Sequence, residues 1–191
     1  YTTGQMPDLI RMWEELTALA GDRLTVSFPS WARGPLDMAI QLRGYDNFVA
    51  DTVERPQFVH DLMRWLVEER MRGWDERERF IGFRPGAAGI SDDWVNVPFI
   101  SPAIFEDFCI PRYLELEQYH GAINRLHSCG DKSPLVHLML MIESLNSFEV
   151  NHWTPLDSML ERVPADKHLA YSFINLDVLL GDEGEQAAKL Q

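Results

Sequence analysis

Only two cysteines, Cys109 and Cys129, occur among the 191 residues, so a disulfide framework is not expected. No apolar run approaches the roughly 18 residues of a membrane-spanning helix, and no basic stretch leads into an apolar one near the N-terminus, so neither insertion nor secretion is signalled. Positive charge is scarce: 17 Lys and Arg stand against 30 Asp and Glu, for a net charge of −13. The bases are also interleaved with acids, as in Asp75-Glu76-Arg77-Glu78-Arg79, which reads as a solvated helix face and argues against nucleic acid as a partner. No Gly-x-Gly-x-x-Gly or Gly-x-x-x-x-Gly-Lys loop is present, and no Gly-x-Ser-x-Gly elbow, so nucleotide binding and serine hydrolysis are poorly supported. The expectation is a cytoplasmic protein, in whose reducing surroundings a cysteine can serve as a thiolate ligand.

What is present suffices for a core. Apolar residues make up 46% of the chain, and a single domain over 1–191 is expected. Met6 to Ala20 carries Leu9, Ile10, Trp13, Leu16 and Leu19 at helical spacing and stops at Gly21. Leu24 to Phe28 reads as a short strand, followed by a loop, Pro29 to Pro35, that opens the next helix. A long helix starts at Pro56, ends before Gly82, and is expected to bury Phe58, Val59, Leu62, Trp65 and Leu66.

The second half repeats one unit: a short apolar strand, a polar loop, then a helix opened by Ser-Pro or Thr-Pro. Strands are expected over Gly86 to Ile90, Ala122 to His127, Ser147 to Val150 and His168 to Tyr171. The openings are Ser101-Pro102, Ser133-Pro134 and Thr154-Pro155, where the hydroxyl is expected to cap the first amides. Such alternation implies an α/β fold with a parallel sheet of about five strands. Its polar residues, Asp92, Asp93, His127, Cys129, His152 and Asn175, collect at strand carboxyl ends, where active sites of such folds lie.

His127-Ser128-Cys129 is the most informative of these segments. Alternate residues of a strand point the same way, so an imidazole and a thiol at this spacing can converge on one ion. Zinc accepts nitrogen and sulfur together but needs at least one more protein ligand, for which Asp92, Asp93 and His152 are the candidates within the chain. The plain alternative is a buried histidine beside an ordinary free cysteine.

Taken in order, Arg33-Gly34-Pro35-Leu36-Asp37-Met38 with Glu54-Arg55-Pro56, Asp92-Asp93-Trp94 with Ile100-Ser101-Pro102 and Phe105-Glu106-Asp107-Phe108, His127-Ser128-Cys129-Gly130-Asp131, and Asn175-Leu176-Asp177 resemble the uroporphyrinogen decarboxylase superfamily. That superfamily includes cobalamin-linked methyltransferases and has a cousin in the zinc domain of cobalamin-independent methionine synthase. The resemblance implies an eight-stranded parallel β/α barrel of the TIM type, of which this chain is a part that begins after the first strands and ends before the last. It also implies a zinc site of His127, Cys129 and a cysteine beyond Gln191, and methyl transfer from a methylated corrinoid or a folate to a small-molecule thiol, with a corrinoid protein as a candidate partner. Gln41 stands where the decarboxylases of this family carry a tyrosine, which argues against porphyrinogen decarboxylation.

Asp92 and Asp93 are the candidate catalytic carboxylates. As neighbours in an extended segment they point to opposite faces, so only one enters the pocket, and the other reading is a brace on loop amides. Trp31, Trp94 and Trp153 are candidate walls for a flat cofactor, Arg33 a candidate anchor for an anionic group, and Asn175 a further cofactor-binding candidate. Asp131 either orients His127 or caps the following helix, and Cys109 reads as packing. Two other functions remain open: a metal-free lyase or decarboxylase on the same scaffold, and a non-catalytic barrel fragment completed by a partner or by a second copy as a homo-oligomer.

Overall fold

The computed structural model describes residues 2–28, 33–84, 86–151 and 153–171. Helix α1 (Met6–Ala20) comes first, and a 3-10 turn (Gly21–Arg23) follows it. Then come α2 (Pro35–Arg43), α3 (Tyr45–Glu54) and α4 (Pro56–Ile81). Four strands, β1 (Ala88–Ser91), β2 (Ile123–His127), β3 (Ser147–Val150) and β4 (His168–Tyr171), then alternate with helical segments. Between β1 and β2 these are α5 (Pro102–Ile104), a π-helical turn (Phe105–Cys109) and α6 (Ile110–His120). A 3-10 turn (Ser133–Leu135) with α7 (Val136–Met139) leads to β3, and α8 (Leu156–Arg162) leads to β4. No helix among the described residues is long and apolar enough to cross a membrane.

The strands form one parallel sheet in the order β1-β2-β3-β4. Every crossover between them contains helix, as parallel pairing requires. Ser91 pairs with His127, Arg125 with Ser147 and Val150 with Tyr171, so the carboxyl ends of the strands line up along one edge. Ile90, Ile123, Leu126, Phe148 and Val150 belong to the buried core, together with Leu36 and Ile40 of α2, Val59, Met63 and Leu66 of α4, and Tyr113 and Leu116 of α6.

The expected fifth strand does not form. Leu24 is 74% exposed and the segment Leu24–Phe28 has no ladder partner among the described residues, while Arg33 further on makes an isolated parallel bridge to Ser91. Phe28 packs instead edge-on to Trp13 of α1 and against Phe80 at the end of α4, with ring centroids 5.4 and 5.3 Å apart. The apolar stripe of α4 also turns differently. Val59, Met63, Leu66 and Val67 are buried while Phe58 and Trp65 are 41% and 49% exposed, since the face that meets α2 and α6 is centred on the 59/63/66 row.

Of the three Ser/Thr-Pro openings, only the first caps as expected: Ser101 Oγ accepts from the Ile104 amide at 3.2 Å. At Ser133 the acceptor is Asp131 Oδ1, 2.9 Å from the Ser133 amide, and Thr154 turns its hydroxyl to Gly130 O and Asn151 Oδ1.

The Asp92 carboxylate ties the helical layer to the sheet. It is fully buried and accepts from the Leu36 amide (3.0 Å), the Asp37 amide (2.6 Å) and the Tyr113 hydroxyl (2.7 Å), which joins the N-terminus of α2, the end of β1 and α6. An anion at the first turn of α2 is also favoured by the helix dipole. Burial and the neighbouring Asp37 charge push the Asp92 pKa well up, against the lowering effect of its three donors. Gly34 is required here, because a Cβ at that position would fall 2.2 Å from Asp92 Oδ2. Asp37 in turn accepts from the Trp94 amide at 3.2 Å and from Arg33 at 2.6 Å.

Replacing Asp92 by alanine strands two amides and a phenol without their acceptor and is expected to destabilise the chain by about 3 kcal/mol or more, measured by urea unfolding. An unchanged midpoint would show that the network does not hold the layers together. A second expectation concerns His120, which is buried between Trp74 and Tyr119 with Nε2 unpartnered among the described residues. Burial, then Arg70 and Arg84, lower its pKa from 6.5 to about 4, so the unfolded chain binds the extra proton first. The stability this neutral ring contributes above pH 6.5 should fade as the pH falls toward 4. Unfolding free energies at pH 7, 5.5 and 4.5 should therefore fall less steeply in His120→Phe than in the parent.

Candidate metal centre

Three side chains meet at the carboxyl edge of β1 and β2. His127 ends β2, and the Asp92 amide donates to its carbonyl at 2.9 Å, carrying the β1–β2 ladder one residue beyond Ser91. With Asp92 turned into the core, Asp93 faces outward, half-buried. Cys129 follows two residues after His127 and is exposed. Cys129 Sγ lies 3.3 Å from Asp93 Oδ1 and 3.5 Å from His127 Nε2, and His127 Nε2 lies 3.4 Å from Asp93 Oδ1. No other group of three or more His, Cys, Asp or Glu side chains among the described residues brings its ligand atoms together in this way.

This triangle has the size of a metal site. Zinc bonds of roughly 2.0–2.3 Å in a tetrahedron set the ligand atoms about 3.3–3.8 Å apart, and the three observed edges fall in that range. Nitrogen, sulfur and carboxylate oxygen are all zinc donors, and three protein ligands leave a fourth position for a substrate. The donor set of Asp93, His127 and Cys129 therefore has the composition and spacing that zinc takes.

The imidazole is oriented from behind. His127 Nδ1 is hydrogen-bonded to Glu149 Oε2, for which an ionised carboxylate makes Nδ1 the donor, and Nε2 faces Asp93 and Cys129. Glu149 is buried on β3, where the Arg125↔Ser147 register sets it level with His127, and Arg125 reaches its other oxygen at 3.2 Å. Burial raises the Glu149 pKa, but the hydrogen bond and charge of His127, then Lys132 and Arg125, outweigh it and bring it down to about 2. Burial, then the Asp93 carboxylate, lift the Cys129 thiol to about 11 in the metal-free chain. A bound dication reverses that balance in favour of thiolate.

The loops are held from several sides. Asn96 Nδ2 donates to Asp93 O at 2.6 Å and to Ser128 Oγ at 3.4 Å. Gly130 has no room for a side chain, since a Cβ there would lie 2.2 Å from the Asn96 carboxamide. Arg33 Nη1 bridges Asp37 Oδ2 and Asp93 Oδ2 at 2.6 and 3.2 Å, while Arg70 donates to the Arg33 carbonyl. Lys132 is fully buried, its Nζ 2.8 Å from Ser128 O. Burial takes its pKa to about 8, against the opposing pull of Glu149 and Cys129.

The sequence candidates thus divide. Asp93, His127 and Cys129 converge. Asp92, expected as a catalytic carboxylate, is buried in the α2 cap and is not part of the cluster. Arg33 is engaged with Asp37 and Asp93, so its nearest task is to hold Asp93. Trp94 stacks on Tyr45 (5.1 Å, 19°) and meets Phe99 edge-on (4.9 Å), whereas Trp153 is 63% exposed. Asp131 is the helix cap and not the partner of His127, a place that Glu149 takes. Cys109 is buried packing. Trp31, His152 and Asn175 lie outside the described residues. Glu149 and Lys132 were not anticipated; the only trace of Glu149 in the sequence is a lone acid inside the apolar strand Ser147–Val150.

No family model matches the chain, and no curated protein matches it. A solved structure, a methyltransferase from Methanosarcina mazei, is similar to it with a TM-score of 0.67 at 16% identity, over 88% of this chain and 49% of that one. At that identity the likeness is one of fold, and the chain spans about half the length of the structure it matches.

Proposed function

We propose that this chain carries the metal-binding part of a β/α-barrel methyltransferase of the uroporphyrinogen decarboxylase superfamily. It would move a methyl group from a methylated corrinoid to the sulfur of a small-molecule thiol. The observation that carries the reading is the Asp93, His127 and Cys129 triangle with 3.3–3.5 Å edges, backed by Glu149. The order of the motifs along the chain and the similarity in fold to a methyltransferase support it. The four parallel strands among the described residues, in sequence order, match the arrangement of consecutive strands in a β/α barrel.

Asp93, His127 and Cys129 would hold zinc, which when bound supplies the Lewis acidity that favours an acceptor thiol in its ionised form. The chain's own residues do the rest. Glu149 holds the Nδ1 proton of His127 and so keeps Nε2 free as a ligand atom. Arg33 fixes Asp93 through Oδ2 and leaves Oδ1 facing the cluster. Trp94, the neighbour of Asp93 in the chain, packs with Tyr45 and Phe99, and this aromatic cluster would offer apolar surface to an incoming donor. A methylated corrinoid, when bound, would supply the methyl group that passes to the acceptor sulfur and would keep the electron pair of the bond that breaks.

Elemental analysis after mild purification should find near one zinc per chain in the parent and almost none in Cys129→Ser or His127→Ala, and methylcobalamin with a thiol should lose its methyl group only in the parent. A parent free of zinc after incubation with the metal would overturn the reading. Glu149→Gln keeps the shape of the side chain and removes its charge, so zinc affinity measured by chelator competition should fall about 10- to 100-fold. Equal affinities would show that Glu149 does not tune the site.

A further inference from the structure

We propose that Asn96 is a positioning residue of this centre: its buried carboxamide knots the Asp93 loop to the segment that carries His127 and Cys129, and so sets the spacing of the three donor atoms. The inference rests on the reading of Asp93, His127 and Cys129 as metal ligands. Two of these residues stand on one segment and the third on another, and the ladder between the segments ends with the Asp92 amide on His127 O. Their relative position therefore depends on how the chain is joined past that point. His127 and Cys129 turn their side chains to the rim, and Ser128 between them turns inward and is fully buried. Asn96, 2% exposed, meets it there. Its Nδ2 lies 2.6 Å from Asp93 O and 3.4 Å from Ser128 Oγ, and Ser128 Oγ donates to Asp93 O at 3.3 Å. These atoms close a ring made of the carbonyl of one ligand residue, the hydroxyl of the residue between the other two, and the carboxamide nitrogen. Asp93 O can only accept, so the Asn96 atom facing it is the nitrogen, which carries two N–H groups, one for each loop.

The Cys129 loop has anchors of its own. Ser128 O accepts from Lys132 Nζ at 2.8 Å and from Asn151 Nδ2 at 2.9 Å, and Gly130 O accepts from Thr154 Oγ1 at 3.2 Å. Those bonds fix the thiol but do not touch Asp93. Arg33 meets Asp93 at the carboxylate, and the Val97 amide joins Asp131 O at 2.8 Å further along both loops. The Asn96 knot acts at the ligand end, on the Asp93 backbone itself. Gly130 reports the closeness of the fit. It has no positive φ, so its backbone would accept a side chain, yet a Cβ there would fall 2.2 Å from Asn96 Cγ and Oδ1. The glycine provides room for this carboxamide, and the contact draws the loop of Cys129 against the loop of Asp93.

The test loads cobalt(II) into the parent, Asn96→Ala, Asn96→Leu, Gly130→Ala and the double variant Asn96→Ala/Gly130→Ala. Chelator competition gives the affinity, the thiolate-to-cobalt and ligand-field absorption bands give the donor set, and circular dichroism of the metal-free chains reports folding separately. Both Asn96 variants are expected to bind cobalt about 10- to 100-fold more weakly. They should keep the thiolate band, since Cys129 retains its anchors, and change the ligand-field bands as Asp93 gives way to water. Gly130→Ala displaces the carboxamide and should weaken binding alone, but cost nothing further in the Asn96→Ala background. A residue that serves the fold alone would leave affinity and bands unmoved in folded Asn96→Ala, and that result overturns the proposal. Parent-like binding in Asn96→Leu also overturns it, since filling the space beside Gly130 would then suffice, and so do additive losses in the double variant. If neither Asn96 variant folds, Gly130→Ala against the parent decides the same question. A parent that binds no cobalt overturns the metal reading itself, and this proposal with it.

Discussion

The buried carboxylate of Asp92 is the constraint on which the rest of the arrangement depends. Consecutive residues at a strand end face opposite ways, so drawing Asp92 inward onto the amides of Leu36 and Asp37 and the hydroxyl of Tyr113 sends Asp93 out to the rim. The same bonds set α2 against the end of β1 and bring Arg33 to the sheet edge, from which it reaches Asp93. Asp37 returns the contact by accepting from the Trp94 amide, so each of two acidic residues braces the loop of the other. The buried carboxylate of Asp92 thereby decides where the Asp93 carboxylate stands.

The parallel register supplies the second half of the site. Because Arg125 pairs with Ser147, a strand of alternating faces sets Glu149 beside His127, and the imidazole is held in one tautomer by a neighbour in the sheet, not by a loop. A ligand oriented by a strand is held more rigidly than one oriented by a flexible segment. Asp93 and Cys129 sit on loops, but those loops are tied to each other through Asn96 and Ser128, and Gly130 allows the close approach that this requires.

Charge is distributed unevenly through the fold. On the solvated face of α4, ion pairs such as Arg79 with Glu76 contribute little to stability. Around the cluster, in contrast, Lys132, Glu149, Asp37 and Asp92 are buried, and each meets a specific partner. Buried polar and charged groups are tolerated only when paired, and at this edge of the sheet each of them has a partner.

Local sequence determined the elements. The helix Met6–Ala20 and the strands Ser147–Val150 and His168–Tyr171 have the limits that apolar periodicity and the flanking turn residues imply, because those signals act over a few residues. The His127-Ser128-Cys129 spacing likewise revealed two of the three converging donors, since alternation along a strand is a local property. Only the tertiary structure chose between Asp92 and Asp93, turned the buried row of α4 away from Phe58 and Trp65, and left Leu24–Phe28 without a ladder partner among the described residues. Glu149 and Lys132 could be assigned only once the chain had folded. Strand register sets Glu149 beside His127, 22 positions away in the sequence, and burial turns Lys132 back onto Ser128 O, and neither contact shows in the apolar pattern of the chain.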